Sequence, residues 1–342
     1  MIRHTRFLNG RVLFRSPQLA HLLQVLIQNR DAIEKAVYGH PIGRFAYQVK
    51  HWLNRNTKAN SRKNIHAHYD LGNDFYRLWL DNTMNYSSAL YANGITDMAM
   101  AQNEKVRRAL QEVDLKPGQR LLEIGCGWGA LAEMATNEFQ SEMVGLTLST
   151  EQLDWANKRL AATPNGQLAD LRLQDYRDIG VVSPEEPFDA VCSIEMIEAV
   201  GRAYWPTYFD TIAKRLKPGG KACIQSIVIA DHLFSRYIQG TDFIQQYIFP
   251  GGCLPSPRQF RESAGRAGLR VVNEKAFGLD YAETLRTWRH KFLHEEPAVR
   301  ALGFDTPFIR TWEFYLAYCE AAFMESNTDV IQFTLEKPMT AA

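Results

Sequence analysis

The sequence predicts an α/β fold of the Rossmann-like kind: a mostly parallel seven-stranded sheet with a small helical unit ahead of it and a helical insertion before the last strand. Three observations predict it. An apolar strand, Arg120 to Ile124, runs straight into the alternating glycines Gly125, Gly127 and Gly129 and then into a helix-forming run, Ala130 to Phe139. From residue 120 onward strand-like and helix-like patterns alternate, which implies parallel strands covered by helices on both faces. The 342 residues suffice for one large α/β domain with an appendage, or for two domains.

The appendage comes first. Residues 1–63 hold twelve Lys/Arg against only Asp31 and Glu34, a net charge of about +10 in a chain that is +1 overall. Residues 17–38 place Leu19, Leu22, Leu23, Leu26, Ile27, Ile33 and Val37 at mostly helical spacing, and Phe45, Val49, Trp52 and Leu53 continue the pattern. A basic, amphipathic helical unit of this kind suits an anionic lipid surface; a helical cap on the main domain fits the same pattern. Residues 54–64 are polar, basic and aperiodic, and read as a linker, so the domains are set at 1–63 and 64–342. Nucleic acid fits poorly, because the basic stretch lacks the interleaved aromatic residues of a base-stacking surface.

His66 and His68 lie two residues apart with no further His/Cys cluster, so no metal site is expected. The five cysteines are widely spaced with no Cys-x-x-Cys pair, which points to a reduced, cytoplasmic setting. No apolar run approaches the roughly 18 residues that would cross a bilayer, so any membrane association is expected to be peripheral.

In the main domain strands are expected at 120–125, 142–148, 169–174, 188–194, 221–229, 269–276 and 329–336, and helices at 129–139, 150–162, 203–216 and 257–267. Lys217-Pro218-Gly219-Gly220 is expected to close a helix before the fifth strand. Residues 278–326 read as helical and rich in aromatic rings, which serve either as core or as the wall of an apolar pocket.

Glycine alternation after a strand lets a nucleotide-like cofactor approach the main chain. Gly125-x-Gly127-x-x-Ala130 satisfies the dinucleotide fingerprint, but that fingerprint needs an acid at the end of the second strand. Here that strand ends Gly145-Leu146-Thr147-Leu148-Ser149. Glu123, two residues before the first glycine, instead suits the loop of S-adenosylmethionine (SAM) methyltransferases.

The order of motifs over residues 60–337 resembles the cyclopropane fatty acid synthases, with the mycolic acid cyclopropane synthases and fatty acid methyltransferases as relatives. The motifs that carry the likeness are His68-Tyr69-Asp70-Leu71-Gly72-Asn73-Asp74-Phe75, Met84-Asn85-Tyr86-Ser87-Ser88, Ile124 to Gly129, Gly145 to Ser149, Gln174 to Asp178, Glu195-Met196-Ile197-Glu198-Ala199-Val200-Gly201 and Tyr247 to Ser256. The resemblance implies a class I SAM-dependent methyltransferase fold. It implies that Tyr86 and Ser87 contact the methionine part of SAM, that Gly125 and Gly127 let it approach, that Thr147 and Gln152 reach the ribose, and that Asp175 and Tyr176 border the adenine.

The implied reaction is methyl transfer to the double bond of an unsaturated phospholipid acyl chain at the inner face of the membrane. An alkene is a feeble nucleophile, so the site must align it with the sulfonium methyl in a dry cavity. The carbocation that follows can be steadied by aromatic faces, for which Tyr247, Phe249, Tyr281 and Trp288 are candidates. The likeness implies a bicarbonate ion as the base, gripped by a glutamate, a tyrosine, a histidine and the backbone around a cysteine. Glu198 and Tyr281 match two of these, and Ile227 matches a backbone contact; Gln225 stands for the histidine, Ser88 for the cysteine, and Ala199 for the histidine that commonly follows the glutamate. The Gln225 amide and the Ser88 hydroxyl can still donate to an anion. A cyclopropane is therefore the expected product, with a methyl- or methylene-branched chain second. A non-catalytic lipid-binding relative and a soluble small-molecule methyltransferase are the rival readings, and the likeness suggests a homodimer.

Overall fold

The computed structural model describes residues 16, 18–29, 71–181 and 184–339. The helix expected at 45–53, the linker, the boundary at 63/64 and the motif from His66 to Asp70 lie outside the described residues.

Seven strands, β1 (Arg120–Ile124), β2 (Glu142–Thr147), β3 (Ala169–Leu173), β4 (Phe188–Ile194), β5 (Leu216–Ile229), β6 (Arg270–Ala276) and β7 (Thr328–Glu336), form one sheet in the order β3-β2-β1-β4-β5-β7-β6. Strands β1 to β5 run parallel, and β7 is antiparallel to both β5 and β6. This is the mostly parallel sheet that the alternation predicts, and it is the class I methyltransferase arrangement. The strand order reverses between β1 and β4, and such a point opens a crevice at the carboxyl ends of the strands.

The helices are α1 (Leu19–Gln28), α2 (Asn73–Arg77), α3 (Met98–Glu112), α4 (Ala130–Asn137), α5 (Thr150–Ala161), α6 (Ile197–Val200), α7 (Trp205–Arg215), α8 (Asp231–Tyr237), α9 (Pro257–Arg266), α10 (Gly278–His294), α11 (Glu296–Ala301) and α12 (Thr306–Met324). Their starts are written locally. Asp97, Ser149, Ser256 and Asp305 each accept a backbone N–H in the first turn of α3, α5, α9 and α12. Each such cap is worth about 1 kcal/mol.

One difference concerns β5. It begins at Leu216, not 221, because the chain leaves α7 directly into extended backbone there. The glycines expected to stop a helix instead pair with the end of the sheet: the Gly219 N–H donates to the Lys337 carbonyl and the Lys337 N–H to that of Gly220.

Three cores hold the layers. One packs α7 and α9 on the sheet through Phe209, Ile212, Phe260 and Phe333, and a second packs α3 and α4 on it through Val106, Leu110, Leu131 and Leu121. The third is aromatic and joins α2, α10 and α12 through Phe75, Trp79, Trp288, Phe292 and Trp312, reaching Trp128 in the glycine turn. Helix α1 lies on α12, with Ala20 and Leu23 against Ala317 and Ala321.

Candidate active site

The turn after β1 is pinned before it can hold anything. The N–H groups of Gly125 and Cys126 both donate to the Leu146 carbonyl at 2.9 Å, and Ser193 Oγ donates to the Ile124 carbonyl at 2.8 Å, so β1, β2 and β4 fix its base. Gly125, Gly127 and Gly129 have φ of 90°, 51° and 83°, and each is glycine for its own reason. A Cβ on Gly125 would meet Met196 Cγ at 2.9 Å, and one on Gly129 would meet Ala156 Cβ at 2.9 Å. Gly127 has nothing within 4 Å, so its bare backbone faces open space in the cavity.

That cavity has a volume of about 1240 Å³, more than the roughly 300–1,000 Å³ of a single-ligand pocket. Its polar arm is walled by the expected cofactor residues Tyr86, Ser87, Gly125, Gly127, Thr147, Gln152, Asp175 and Tyr176. Thr147 Oγ1 donates to Gln152 Oε1 at 3.0 Å, which sets both side chains at the end of β2. The Asp175 carboxylate, expected to border an adenine, is held by Arg177 at 2.5 Å. The Tyr86 and Tyr315 hydroxyls share a hydrogen bond at 2.8 Å.

Two buried oxygens in this arm have no partner: Glu123 Oε2 and the Tyr176 hydroxyl. Burial pushes the Glu123 carboxyl up to about 8, opposed by nearby Lys105. A cationic ligand would reverse that shift, so an open glycine backbone beside an unpartnered buried carboxyl fits a sulfonium amino acid such as SAM.

The expected base cluster is assembled, but around a different residue. Glu195, immediately after β4, accepts the Ser88 N–H at 2.9 Å and Gln225 Nε2 at 2.7 Å on Oε1, and the Tyr281 hydroxyl at 2.6 Å on Oε2. Glu198 is not joined to Tyr281; its Oε1 accepts the Ile227 N–H and its Oε2 has no partner. The Ser88 hydroxyl, expected to face an anion, turns to the Ala89 carbonyl, and the Ser88 backbone makes the contact instead. Gln225 is oriented from behind. Arg108 donates to Gln332 Oε1, Gln332 Nε2 donates to Gln225 Oε1 at 3.0 Å, and only the Gln225 NH₂ group is left for Glu195.

The two carboxyls differ electrostatically. Burial raises Glu195, but Tyr281, the Ser88 N–H, Lys105 and Gln225 all oppose the rise. Burial together with the charge of Glu195 pushes Glu198 up to about 8. Lys105, fully buried on α3, donates to Ser87 Oγ at 2.5 Å, and burial pushes it down to about 8 against the pull of Glu195, Asp81 and Glu123.

The apolar arm is walled by Leu23, Leu26 and Ile27 of α1, Leu233 and Tyr237 of α8, and Tyr318, Ala322 and Phe323 of α12. Of the rings expected to face a cation, Phe249 and Tyr281 line the cavity; Tyr247 and Trp288 do not, and Trp288 is fully buried in the aromatic core. Among the described residues no group of three His, Cys, Asp or Glu could hold a metal, and no helix is long and apolar enough to cross a membrane.

Sequence reasoning missed Glu195 and Lys105. Glu195 opens the Glu195–Gly201 motif at the carboxyl end of a central strand, where ligand groups gather. Lys105 is a charge within the stripe Ala101, Gln102, Lys105, Val106, Ala109, which reads as a buried helix face.

The family described as mycolic acid cyclopropane synthetase matches residues 56–333. The tuberculostearic acid methyltransferase UfaA1 of Mycobacterium tuberculosis is 40% identical over 289 residues, 82% of this chain and 66% of that protein. The cyclopropane-fatty-acyl-phospholipid synthase of Escherichia coli is 34% identical over 270 residues, 79% of this chain and 66% of that one. The match thus spans just under two thirds of the length of both. The mycolic acid cyclopropane synthase CmaA1, solved with SAH and CTAB, superposes with a TM-score of 0.74 at 30% identity, over 81% of this chain and 98% of that chain.

Proposed function

The chain belongs to the mycolic acid cyclopropane synthetase family, and from that premise we propose that it transfers a methyl group from SAM to the double bond of an unsaturated fatty acyl chain. The observation that carries this reading is one cavity whose wall includes both the glycine turn and apolar residues of α1, α8 and α12, with Glu195 and Tyr281 in the same lining. SAM supplies an electrophilic methyl group when bound.

The protein's own residues account for the rest. Gly127 admits the cofactor to the backbone, and the Glu123 carboxyl offers a counter-charge to its cationic centre. The apolar wall takes the acyl chain and excludes water, so positive charge developing on the chain is not quenched by water. The Phe249 and Tyr281 rings face the space where that charge forms. A carboxylate beside them then takes a proton.

Two products follow from one cation. Loss of a proton from the new methyl group can close a cyclopropane, or, after a hydride shift, leave a methylene branch. The higher identity to a relative named as a methyltransferase, 40% against 34%, favours the branched chain. The replacements Gln225, Ser88 and Ala199 support the same reading, and the cyclopropane is the second reading. A saturated methyl branch would need a hydride donor that neither SAM nor the chain supplies. We place the acyl chain in a phospholipid at a membrane surface, a reading supported by the basic charge of residues 1–63.

The test is mass spectrometry with fragmentation of acyl chains after incubation with labelled SAM and mono-unsaturated phospholipid vesicles. A gain of one CH₂ with a retained or shifted double bond is expected. The same gain in a saturated ring identifies the cyclopropane, and no gain in any acyl chain overturns the reading.

A further inference from the structure

We propose that the Glu195 carboxylate is the proton acceptor of this chain, built into the place that the resemblance assigns to a bicarbonate ion. The inference rests on the reaction proposed above. Ser88, Gln225 and Tyr281 were each expected to grip a dissolved anion, Ser88 through its hydroxyl; instead the Ser88 N–H, Gln225 Nε2 and the Tyr281 hydroxyl converge on the two oxygens of Glu195 at 2.6–2.9 Å. Three donors hold a carboxylate much as they would a free oxyanion and leave one of its roughly four lone-pair sites open to take a proton, so no further anion is needed between them.

The backbone argues the same way. Glu195 has φ of 49°, the left-handed region that costs a residue with a side chain about 1–2 kcal/mol and costs glycine almost nothing. A residue there keeps that strain only where the surroundings hold it, and such strain gathers at functional sites. Gln225, its amide fixed by Gln332 and Arg108, presents only N–H groups and cannot itself take a proton. Glu198 faces the same cavity, but next to the donor-rich Glu195 and distant from such help it is the carboxyl of the pair that holds its proton.

The step balances without a further reagent. Once the methyl group has joined one alkene carbon and the other carries the positive charge, Glu195 takes H⁺ from the methyl group. The freed C–H electron pair closes the third ring bond. After a hydride shift onto the first cation centre, the same pair forms the methylene double bond. The carboxylate becomes a carboxylic acid and the chain becomes neutral.

The experiment compares the full chain with Glu195→Gly and Glu195→Gln in buffer scrubbed of CO₂, with and without added bicarbonate. Thermal melting and SAM calorimetry check the fold, which glycine suits at this φ. The expected wild-type turnover is indifferent to bicarbonate. Glu195→Gly is expected to lose about 100-fold or more and to regain turnover when bicarbonate fills the vacated place. Glu195→Gln keeps the place filled and stays inactive. Line broadening of ¹³C-bicarbonate by Glu195→Gly, and not by the wild type, reports the same replacement without turnover. Wild-type turnover that collapses on scrubbing, ¹³C-bicarbonate bound by the wild type, or an active Glu195→Gln each overturns the proposal. If the wild type modifies no acyl chain, the reaction proposed above fails, and the ¹³C comparison still decides whether Glu195 occupies an anion place.

Discussion

At Glu198 one carboxyl oxygen accepts the Ile227 N–H while the other, buried, has no partner, and burial together with the neighbouring Glu195 disfavours a second negative charge. Its carboxyl, pushed up to about 8 from an ordinary 4.5, stays protonated in the fold over a range in which the unfolded chain has ionised. That stabilisation is complete below about pH 4.5 and is lost as pH rises to about 8, at up to about 1.4 kcal/mol per pH unit. Denaturant unfolding of wild type and Glu198→Gln between pH 5 and pH 8 should therefore show a shallower fall in stability for the variant. Parallel curves would mean that Glu198 is ionised throughout. The motif around Glu198 and the Ile227 backbone contact were legible in the sequence through the resemblance; that the Ile227 N–H donates to Glu198 itself and not to an anion was not, because β5 reaches Glu198 only once the sheet has formed.

At the scale of elements, α1 packs as a helical cap on the main domain, one of the two uses that its sequence left open. Its spacing of leucines predicts a helix, and Leu19–Gln28 forms one. Its apolar face, though, meets small residues on α12, where Ala317 and Ala321 let the two helices approach, and Leu23, Leu26 and Ile27 then wall the cavity. Leu26 is 42% exposed and lines the cavity, so it contributes little to packing and, on the proposed reaction, meets the acyl chain. Leu26→Ser should raise KM for vesicle-borne acyl chains about tenfold, the worth of one leucine contact, while SAM affinity and Tm stay near wild type. An unchanged KM would remove α1 from the substrate path. The strand β5 carries the opposite lesson: Pro218, Gly219 and Gly220 are turn residues by composition, yet pairing with the end of β7 recruits them to the sheet edge.

For the whole molecule, the charge is divided unevenly: about +10 on residues 1–63 and about −9 on the remainder. Attraction of the basic stretch to an anionic membrane acts through the screening length, which falls from about 10 Å at 0.1 M salt to about 3 Å at 1 M. Binding to anionic vesicles in a flotation assay should accordingly weaken steeply over that range, and a chain lacking residues 1–63 should bind weakly at either salt. Salt-independent binding would assign the contact to the apolar arm instead.

The sequence by itself determined the strand–glycine–helix turn, the alternation that gives a mostly parallel sheet and the positions of nearly all its strands. These are local properties: side-chain period, helix caps and the backbone freedom of glycine act over a few residues and need no distant partner. Only the tertiary structure decided which carboxylate the site is built on. Ser88, Gln225 and Tyr281 lie 107, 30 and 86 positions from Glu195, and no spacing along the chain encodes their convergence. It arises because pairing of β4 with β5 sets Glu195 beside Gln225 and the first turn of α10 brings Tyr281 to the same place, where buried donors must find an acceptor.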